Sequence, residues 1–240
     1  MSLRLETAFV LAAGLGTRMR HLTADRPKPL VEVGGRTLLD RVLDRIAAAG
    51  IGRAVVNLHY KADLIEAALA KRTSPRIVFS DERDALLDTG GGAARALRLI
   101  GDGPFLVHNS DSIWLETGPV PAITALADAW NDAKMDCLML LAERATSLGF
   151  DGPGDFAMDD QGRLERRGTR PETPYVFTGV SIASPRLFDD APAGPFSLNL
   201  VWDRAIARGR LFGTVLDGRW MHVGTPEAVA EAASRLSSAN

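Results

Sequence analysis

Short apolar runs alternate with amphipathic segments through the first half of the chain, and this alternation limits the folds that the chain can adopt. The pattern predicts strands over 54–57, 77–79, 105–107 and 136–142, and helices over 38–46, 62–69, 93–100 and 114–133. Strands that alternate with helices in this way are typically joined by right-handed crossovers. The sequence therefore predicts an α/β fold with a mostly parallel sheet.

The rhythm changes after residue 144. The segments 156–158 and 163–165 are predicted to form a hairpin that turns at 160–162. A long strand over 175–182 and helices over 198–207 and 226–236 are predicted to follow. We expect a single domain over 1–240, with a small lobe at about 145–185 packed on the first half.

A glycine turn follows the first predicted strand, which is the apolar run 8–11. Glycine has no Cβ, so Gly14 and Gly16 allow backbone N–H groups to approach phosphate oxygens closely. Arg18 offers a planar fork for phosphate oxygens, and Lys28 is a compact charge flanked by prolines on both sides. An ordinary surface turn is the alternative, but the turn lies at the carboxyl end of a strand, where open α/β sheets bind ligands. We therefore predict a nucleoside triphosphate site here.

Two better-known glycine motifs do not fit this turn. A dinucleotide-binding motif would need a third glycine at position 19 and an acidic residue closing the second strand, but the chain has Met19 and Asn57. A Walker A loop would need Gly-Lys-Ser/Thr, which does not occur in the sequence. An NAD-dependent enzyme and a P-loop enzyme are therefore disfavoured.

The charge balance and cysteine content narrow the choice of partners and compartment. The net charge of −2 leaves no basic surplus for a nucleic-acid backbone, so we expect no nucleic-acid partner. No apolar run approaches the length of a membrane span, so we expect no membrane partner. Cys137 is the single cysteine, it lies in an apolar run, and it is predicted to be a buried thiol. A reducing, cytoplasmic location is the simplest expectation.

With these features in place, the chain resembles the sugar-1-phosphate nucleotidyltransferases. The matching segments are 11–20 continued at 27–31, then 88–92, 109–111, 177–180 and 223–227. They span nearly the whole chain in the right order, which is more specific than any one motif. The short length and the Gly154-Asp155-Phe156 segment look most like the uridylyltransferases that activate N-acetylmuramic acid 1-phosphate in cell-wall recycling.

The resemblance implies a three-layer α/β/α Rossmann-like fold and a Mg2+-dependent reaction of a nucleoside triphosphate with a sugar 1-phosphate, with release of pyrophosphate. Residues 1–144 would mainly bind the nucleotide, and 145–240 would form the acceptor-side lobe and the closing helices. The nucleotide-binding residues implied are Ala12, Ala13, Gly14, Gly16, Thr17, Gly90 and Gly91. The implied catalytic residues are Arg18, Lys28 and Asp111, with Asp111 on the metal.

Both candidate metal residues, Asp111 and His222, have alternative interpretations. Asp111 ends an apolar strand and offers the hard carboxylate oxygen that Mg2+ prefers, but an aspartate after Ser110 could instead cap a helix. His222 stands where the family usually has a second metal-binding aspartate. Imidazole suits softer metals, so His222 either shifts the metal preference or is a packed structural histidine.

The acceptor sugar is predicted to contact four residues, which are Asn109, Asp155, Thr178 and Gly179. Ordinary hairpin and strand roles are the alternative for the last three. Many relatives hold the acceptor phosphate with a lysine, but this chain has no lysine after Lys134. An arginine must therefore serve, and Arg144, Arg166 and Arg167 are the candidates.

The substrate pair stays open at this point. UTP with N-acetylmuramic acid 1-phosphate is favoured, and the rivals are mannose-1-phosphate guanylyltransferases and glucose-1-phosphate uridylyl- or thymidylyltransferases. A sugar-nucleotide sensor without turnover is an alternative of another class, for which His222 is the best argument. The sequence gives no oligomeric state.

Overall fold

The computed structural model describes residues 3–238, so the predicted domain bounds at 1 and 240 lie outside the described residues. The strands are β1 (Thr7–Leu11), β2 (Glu32–Val33), β3 (Arg36–Thr37), β4 (Arg53–Leu58), β5 (Arg76–Asp81), β6 (Phe105–Asn109), β7 (Ser112–Glu116), β8 (Cys137–Glu143), β9 (Phe156–Met158), β10 (Leu164–Arg166), β11 (Tyr175–Ala183), β12 (Leu211–Val215) and β13 (Gly218–His222). The α-helices are α1 (Leu38–Ala48), α2 (Ala62–Leu69), α3 (Asp88–Ile100), α4 (Ala122–Ala129), α5 (Leu198–Ala207) and α6 (Pro226–Ser238). Short 3-10 helices are Thr17–Thr23, Lys28–Leu30, Arg144–Thr146 and Pro185–Phe188.

A nine-stranded sheet organises the described residues. Strands β5, β4, β1 and β6 lie side by side and parallel, and β11 then pairs antiparallel with both β6 and β8. Since β12 is parallel to β8 and β9 is antiparallel to β11, only β10 and β11 oppose the common direction. The prediction of a mostly parallel α/β sheet is confirmed.

Helices cover both faces of the sheet because each strand alternates its side chains between them. Ala8 and Val10 of β1 pack with the apolar faces of α1, α2 and α4. Phe9 lies on the opposite face and packs with α3 and α5. These two clusters give the three-layer arrangement. None of the helices within residues 3–238 is long and apolar enough to cross a bilayer.

A small second sheet closes the site end of the fold. Strands β7 and β13 pair antiparallel, with Trp220 opposite Trp114, and α6 packs close to them with Ala232 in a third apolar cluster. The Trp114 side chain is completely buried. This pairing places the end of β13, at His222, directly opposite Ser112 and beside the loop after β6.

The predicted helix over 114–133 was wrong at both ends. Residues 112–116 are strand β7, and the helix covers only Ala122–Ala129. The intervening segment contains Gly118, Pro119 and Pro121, and proline both fixes φ and lacks the N–H that a helix interior requires. The pattern also missed β12 and β13 and began α3 at Ala93 instead of Asp88.

The predictions for the hairpin region and the closing helices are confirmed. Strands β9 and β10 pair antiparallel, and β10 lies one residue later in the sequence than predicted. Strand β11 and helix α5 match the predicted ranges to within one residue, and α6 extends two residues further. The division of the chain at residue 144 stays a prediction.

Candidate active site

A cavity of about 570 Å³ opens at the carboxyl ends of β1, β4, β5 and β6. It is lined by Leu11, Ala12, Ala13, Gly14, Gly16, Thr17, Arg18, Met19, Lys28, Pro29, Asn57, Glu82, Leu86, Asp88, Thr89, Asn109, Ser110, Asp111 and Gly224. Ligands of open α/β sheets bind at this edge. The structure thus brings the glycine turn, both predicted cations and Asp111 into one cleft.

The glycine turn packs directly on Lys28. Gly16 has φ +65°, and a Cβ at this position would lie 2.9 Å from Cβ of Lys28. A side chain there would be both strained and obstructed. Gly14, by contrast, is exposed and faces open space, and Arg18 is exposed at the rim of the cavity. The turn therefore holds Lys28 in place and leaves Arg18 free to reach a ligand.

Lys28 and Asp111 form an ion pair inside the cavity. Lys28 Nζ donates to Asp111 Oδ2 at 2.5 Å, and the two side chains are 12% and 22% exposed. Burial by itself raises the pKa of Asp111, but the charge and hydrogen bond of Lys28 outweigh it and hold the pKa below its usual value. Asp111 is therefore an ionised carboxylate at the base of the cleft. The alternative that it merely caps a helix is not supported, because strand β7 follows it.

His222 interacts electrostatically with Lys28, Arg18 and Asp111, although it is not part of the cavity lining. Burial lowers the pKa of His222, the Lys28 and Arg18 charges lower it further, and Asp111 and Asp155 oppose them. Its imidazole is consequently neutral near pH 7. Within residues 3–238, no group of three or more His, Cys, Asp or Glu side chains is arranged to hold a metal ion.

The donor set fits a metal that is bound largely by its substrates. Asp111 supplies one ionised carboxylate, and His222 a neutral nitrogen nearby. Mg2+ is commonly held by one or two carboxylates together with substrate phosphates and waters. One carboxylate in a cleft with two cations therefore suits a metal–nucleotide complex better than a free ion.

A buried hydrogen-bond chain supports the glycine turn from below. Oδ1 of Asn57 accepts hydrogen bonds from the backbone N–H groups of Ala12 at 2.6 Å and Ala13 at 3.1 Å. Asn57 Nδ2 donates to Glu82 Oε1 at 2.9 Å. The sequence analysis missed this role, because it used Asn57 only to argue against a dinucleotide-binding motif, which would have an acidic residue there. The link joins the ends of three neighbouring strands to the turn.

Glu82 is fully buried in the cavity wall. Burial raises its pKa, and the Asn57 hydrogen bond and the Arg95 charge only partly oppose this effect. Gly92 of helix α3 leaves space for the hydrogen-bonded side chains of Asn57 and Glu82. A Cβ at Gly92 would lie 2.8 Å from Glu82 Oε1 and 3.0 Å from Asn57 Nδ2. The run of glycines at 90–92 was the one sequence signal that a close approach occurs here.

Gly90 and Gly91 lie beside the cavity and are not part of its lining. Their N–H groups donate to the carbonyl of Phe196 at 2.8 and 3.0 Å. A Cβ on Gly91 would lie 2.5 Å from the carbonyl oxygen of Gly194, and one on Gly90 would meet the Phe196 ring. Close packing of the 194–196 segment accounts for both glycines, and their predicted contact with the base stays a prediction.

The four predicted acceptor residues fall into two groups. Asn109 lines the cavity, and Gly179 lies against it with φ +88°, at a bulge in β11. A Cβ on Gly179 would lie 2.9 Å from the Asn109 side chain. Thr178 donates to the Leu140 carbonyl at 2.8 Å, and Asp155 accepts from the Phe177 N–H at 2.9 Å, and neither lines the cavity. Their contact with the acceptor stays a prediction.

The three candidate arginines differ in their partners. Arg144 pairs with Glu172 at 2.6 Å, and Arg166 pairs with Asp203 at 2.7 Å. Arg167 instead donates to the carbonyl of Arg170 at 2.8 Å, while its N–H bonds the carbonyl of Asp155. Arg167 is therefore the candidate whose charge is least committed to a carboxylate.

Comparison with known proteins places this cleft in a family. Residues 8–147 match the model of the MobA-like NTP transferase domain. The chain is 49% identical to an N-acetylmuramate alpha-1-phosphate uridylyltransferase from Caulobacter vibrioides, over 100% of both chains. It is 34% identical to the enzyme of the same name from Neisseria meningitidis serogroup B, over 94% of this chain and 96% of that one.

A solved structure shows the same fold at lower identity. A putative glucose-1-phosphate thymidylyltransferase from Bacillus anthracis superposes with a TM-score of 0.82 and 16% identity, over 98% of this chain and 96% of the other. The similarity to the Caulobacter enzyme covers the full length of both chains. The chain therefore belongs to the sugar-1-phosphate nucleotidyltransferases and is an enzyme of the nucleotidyltransferase class.

Proposed function

We propose that the protein transfers the uridylyl group of UTP to N-acetylmuramic acid 1-phosphate, giving the UDP-sugar and pyrophosphate. The observation that carries the proposal is the meeting of Lys28, Asp111 and the Gly16 turn in one cleft. The choice of UTP and of this sugar is supported by the full-length similarity to the Caulobacter enzyme.

The chemistry needs charge neutralisation more than a covalent nucleophile. An oxygen of the sugar phosphate attacks the α-phosphorus of UTP, a new P–O bond forms, and the bond to the β-phosphate oxygen breaks to release pyrophosphate. Two like charges about 4 Å apart cost roughly 4 kcal/mol at an effective dielectric of ~20. Lys28 and Arg18 supply positive charge where these anions meet, so positioning and electrostatics are sufficient for the reaction.

Lys28 serves this reaction through its several donors. An ammonium has three N–H donors, and Asp111 uses one of them in the structure. Within residues 3–238 the other two donors have no partner, so they can bind oxygens of the α-phosphate without breaking the ion pair. Arg18, exposed at the rim, reaches the β- and γ-phosphates with its planar fork.

The metal is proposed to be Mg2+, held by Asp111 together with phosphate oxygens. Such an ion, when bound, screens the phosphates and stabilises the charge that develops on the leaving pyrophosphate. His222 lies close enough to interact electrostatically with Asp111, and its neutral nitrogen favours softer divalent ions over Mg2+. We therefore expect activity with Mn2+ as well as Mg2+.

The acceptor side is proposed to use Arg167 for the sugar phosphate, with Asn109 at the sugar. Arg167 is selected because the guanidinium groups of Arg144 and Arg166 are already paired with carboxylates. Asn109 is selected because it lines the cavity next to Asp111. A cytoplasmic location is proposed as well, since Cys137 is a free buried thiol.

A substrate panel tests the proposal. Purified protein is mixed with Mg2+ or Mn2+, with each of UTP, GTP, dTTP, CTP and ATP, and with the 1-phosphates of N-acetylmuramic acid, mannose and glucose, and pyrophosphate release is measured. The proposal expects the highest kcat/KM for UTP with N-acetylmuramic acid 1-phosphate. A higher kcat/KM for GTP with mannose 1-phosphate, or tight nucleotide binding without turnover in every pair, would overturn it.

A further inference from the structure

A second charged cleft lies beside the start of strand β7, which follows Asp111 in the sequence. Its volume is about 170 Å³, and it is lined by Arg36, Arg41, Asp44, Arg45, Ser112 and Ile113; we call it the arginine cleft. A single water needs only about 10–15 Å³ of such space, so a phosphate group fits easily. The cleft shares no lining residue with the active-site cavity.

The guanidinium groups of the arginine cleft crowd one another. Arg41 and Arg45 are four residues apart on α1, a spacing at which like charges repel. Burial lowers the pKa of Arg41, the charge of Arg36 lowers it further, and the charge of Asp44 opposes them in part. Burial also lowers the pKa of Arg45 to about 10, with a smaller contribution from Arg41 opposed by Glu116. Three cations are thus held together at an energetic cost.

The carboxylates nearby do not balance this charge. Asp44 pairs with Arg36 at 2.5 Å but is shared with Arg72 at 2.7 Å. Glu116 lies 3.4 Å from Arg45, and the same carboxylate also accepts hydrogen bonds from Trp114 Nε1 and the Ala122 N–H.

 Arg41 donates to the backbone carbonyl of Val33, with its Nε at 3.1 Å. Since a guanidinium has five N–H donors, Arg36 and Arg41 keep donors for a further acceptor.

We propose that the arginine cleft is a second binding site for a phosphate group, separate from the substrate cavity. Arginine is suited to this ligand because its planar fork matches two phosphate oxygens at once. The source is either a free phosphate ion or the phosphate of a small metabolite, and both present the same tetrahedral oxyanion. An anion here relieves the repulsion among the three arginines.

The arginine cleft borders the strand that follows Asp111. Ser112 in its wall directly follows Asp111, and the Ser112 hydroxyl donates to the Thr178 carbonyl and accepts from Trp220 Nε1 at 3.1 Å. Arg45 also donates to the carbonyl of Trp114 on the same strand, β7. A ligand in the cleft therefore lies against Ser112 and Ile113, at the start of the strand that follows Asp111.

Calorimetric titration tests the proposal without turnover, so its result is independent of the proposed reaction. Inorganic phosphate, pyrophosphate and UMP are each titrated into a Lys28→Ala variant, in which phosphate binding at the active site is weakened. We expect saturable binding of at least one of them. Adding Arg36→Gln, an exposed change that should fold normally, should weaken that binding about tenfold, as the loss of a charge-assisted hydrogen bond predicts.

A matched control uses Arg208→Gln in the same Lys28→Ala background. Arg208 is also exposed and also pairs with one aspartate, Asp190 at 2.9 Å, but it lies outside the cleft. The Arg208→Gln protein should bind the phosphate compound as tightly as the Lys28→Ala protein does. Tighter binding of inorganic phosphate than of UMP would identify a free ion as the ligand. Tighter binding of UMP would identify a phosphorylated metabolite. Absence of saturable binding, or equal binding in the Arg36→Gln and Arg208→Gln proteins, would overturn the proposal.

Discussion

Asn57 donates a hydrogen bond to Glu82 across 2.9 Å, between the ends of two neighbouring parallel strands. The same Asn57 side chain accepts from the Ala12 and Ala13 N–H groups, so the position of the glycine turn depends on this one amide. An aspartate there would place a second carboxyl against buried Glu82. The amide is therefore the side chain that can serve both neighbours at once.

Replacing Asn57 by alanine should weaken both stability and nucleotide binding. The change leaves two buried N–H groups and one carboxyl oxygen without their partner, which costs about 2–4 kcal/mol. The KM for the nucleotide should rise because the turn is no longer held. Urea unfolding and steady-state kinetics measure the two effects.

Ser80→Ala is the matched control for this prediction. Ser80 lies opposite Asn57 in the neighbouring strand and is equally buried, but its hydroxyl has no hydrogen-bond partner within residues 3–238. Its removal should change the free energy of unfolding by less than about 1 kcal/mol. If both variants lose the same stability, the Asn57 bridge does not have the proposed role.

Gly179→Ala should damage the acceptor side of the cleft. The residue has φ +88°, and the new Cβ would lie 2.9 Å from the Asn109 side chain, so strain of about 1–3 kcal/mol is expected together with displacement of Asn109. The KM for the sugar phosphate should rise more than that for the nucleotide. Gly103→Ala, where the Cβ meets open space, should leave both constants unchanged. Equal kinetics for the two variants would argue against a role for Asn109.

Gly90→Ala separates packing from base recognition. A Cβ at this position meets the Phe196 ring, so overpacking of about 1–3 kcal/mol should lower the melting temperature. Combining it with Phe196→Leu, which shortens the opposing side chain, should recover part of that loss. A Gly90→Ala protein of normal stability that binds UTP weakly would instead place the base against this glycine.

His108 should make the protein less stable in mild acid. Burial lowers its pKa to about 4, a hydrogen bond to the Asn109 carbonyl opposes this, Arg45 adds to the lowering, and Asp111 opposes it. The unfolded chain, with a pKa near 6.5, then binds the proton first, so stability falls as pH drops from about 6.5 towards 4. The loss should reach about 2 kcal/mol by pH 5.

His108→Phe tests this pH dependence. The new ring keeps the stacking partner of Trp114, whose ring centre lies 5.6 Å from that of His108, but cannot bind a proton. Urea unfolding at pH 7 and pH 5 should show a smaller difference for the variant than for the wild-type protein. The same difference in both proteins would assign the acid sensitivity to other groups.

The sequence predicted those parts of the site that lie on local patterns. The glycine turn and Asp111 each follow a strand that its apolar run identifies, and parallel strands bring their carboxyl ends to one edge. Lys28 was found from its flanking prolines and its nearness in sequence to the turn. The Asn57–Glu82 bridge depends on two residues 25 positions apart becoming neighbours, which no local pattern records. Strands β7 and β13 pair across about a hundred residues of sequence, which no local pattern indicates. Trp114 was therefore predicted to lie in a helix.

Lys28 is proposed to neutralise the reacting phosphates while it stays paired with Asp111. The most direct measurement is pyrophosphate release from UTP and N-acetylmuramic acid 1-phosphate by Lys28→Met, with Lys71→Met, an exposed lysine outside the cleft, as control. We predict that Lys28→Met lowers kcat/KM at least about a thousandfold, as expected for loss of a charge acting on the transition state, while Lys71→Met retains the wild-type rate. A folded Lys28→Met protein with near wild-type kcat/KM would contradict it.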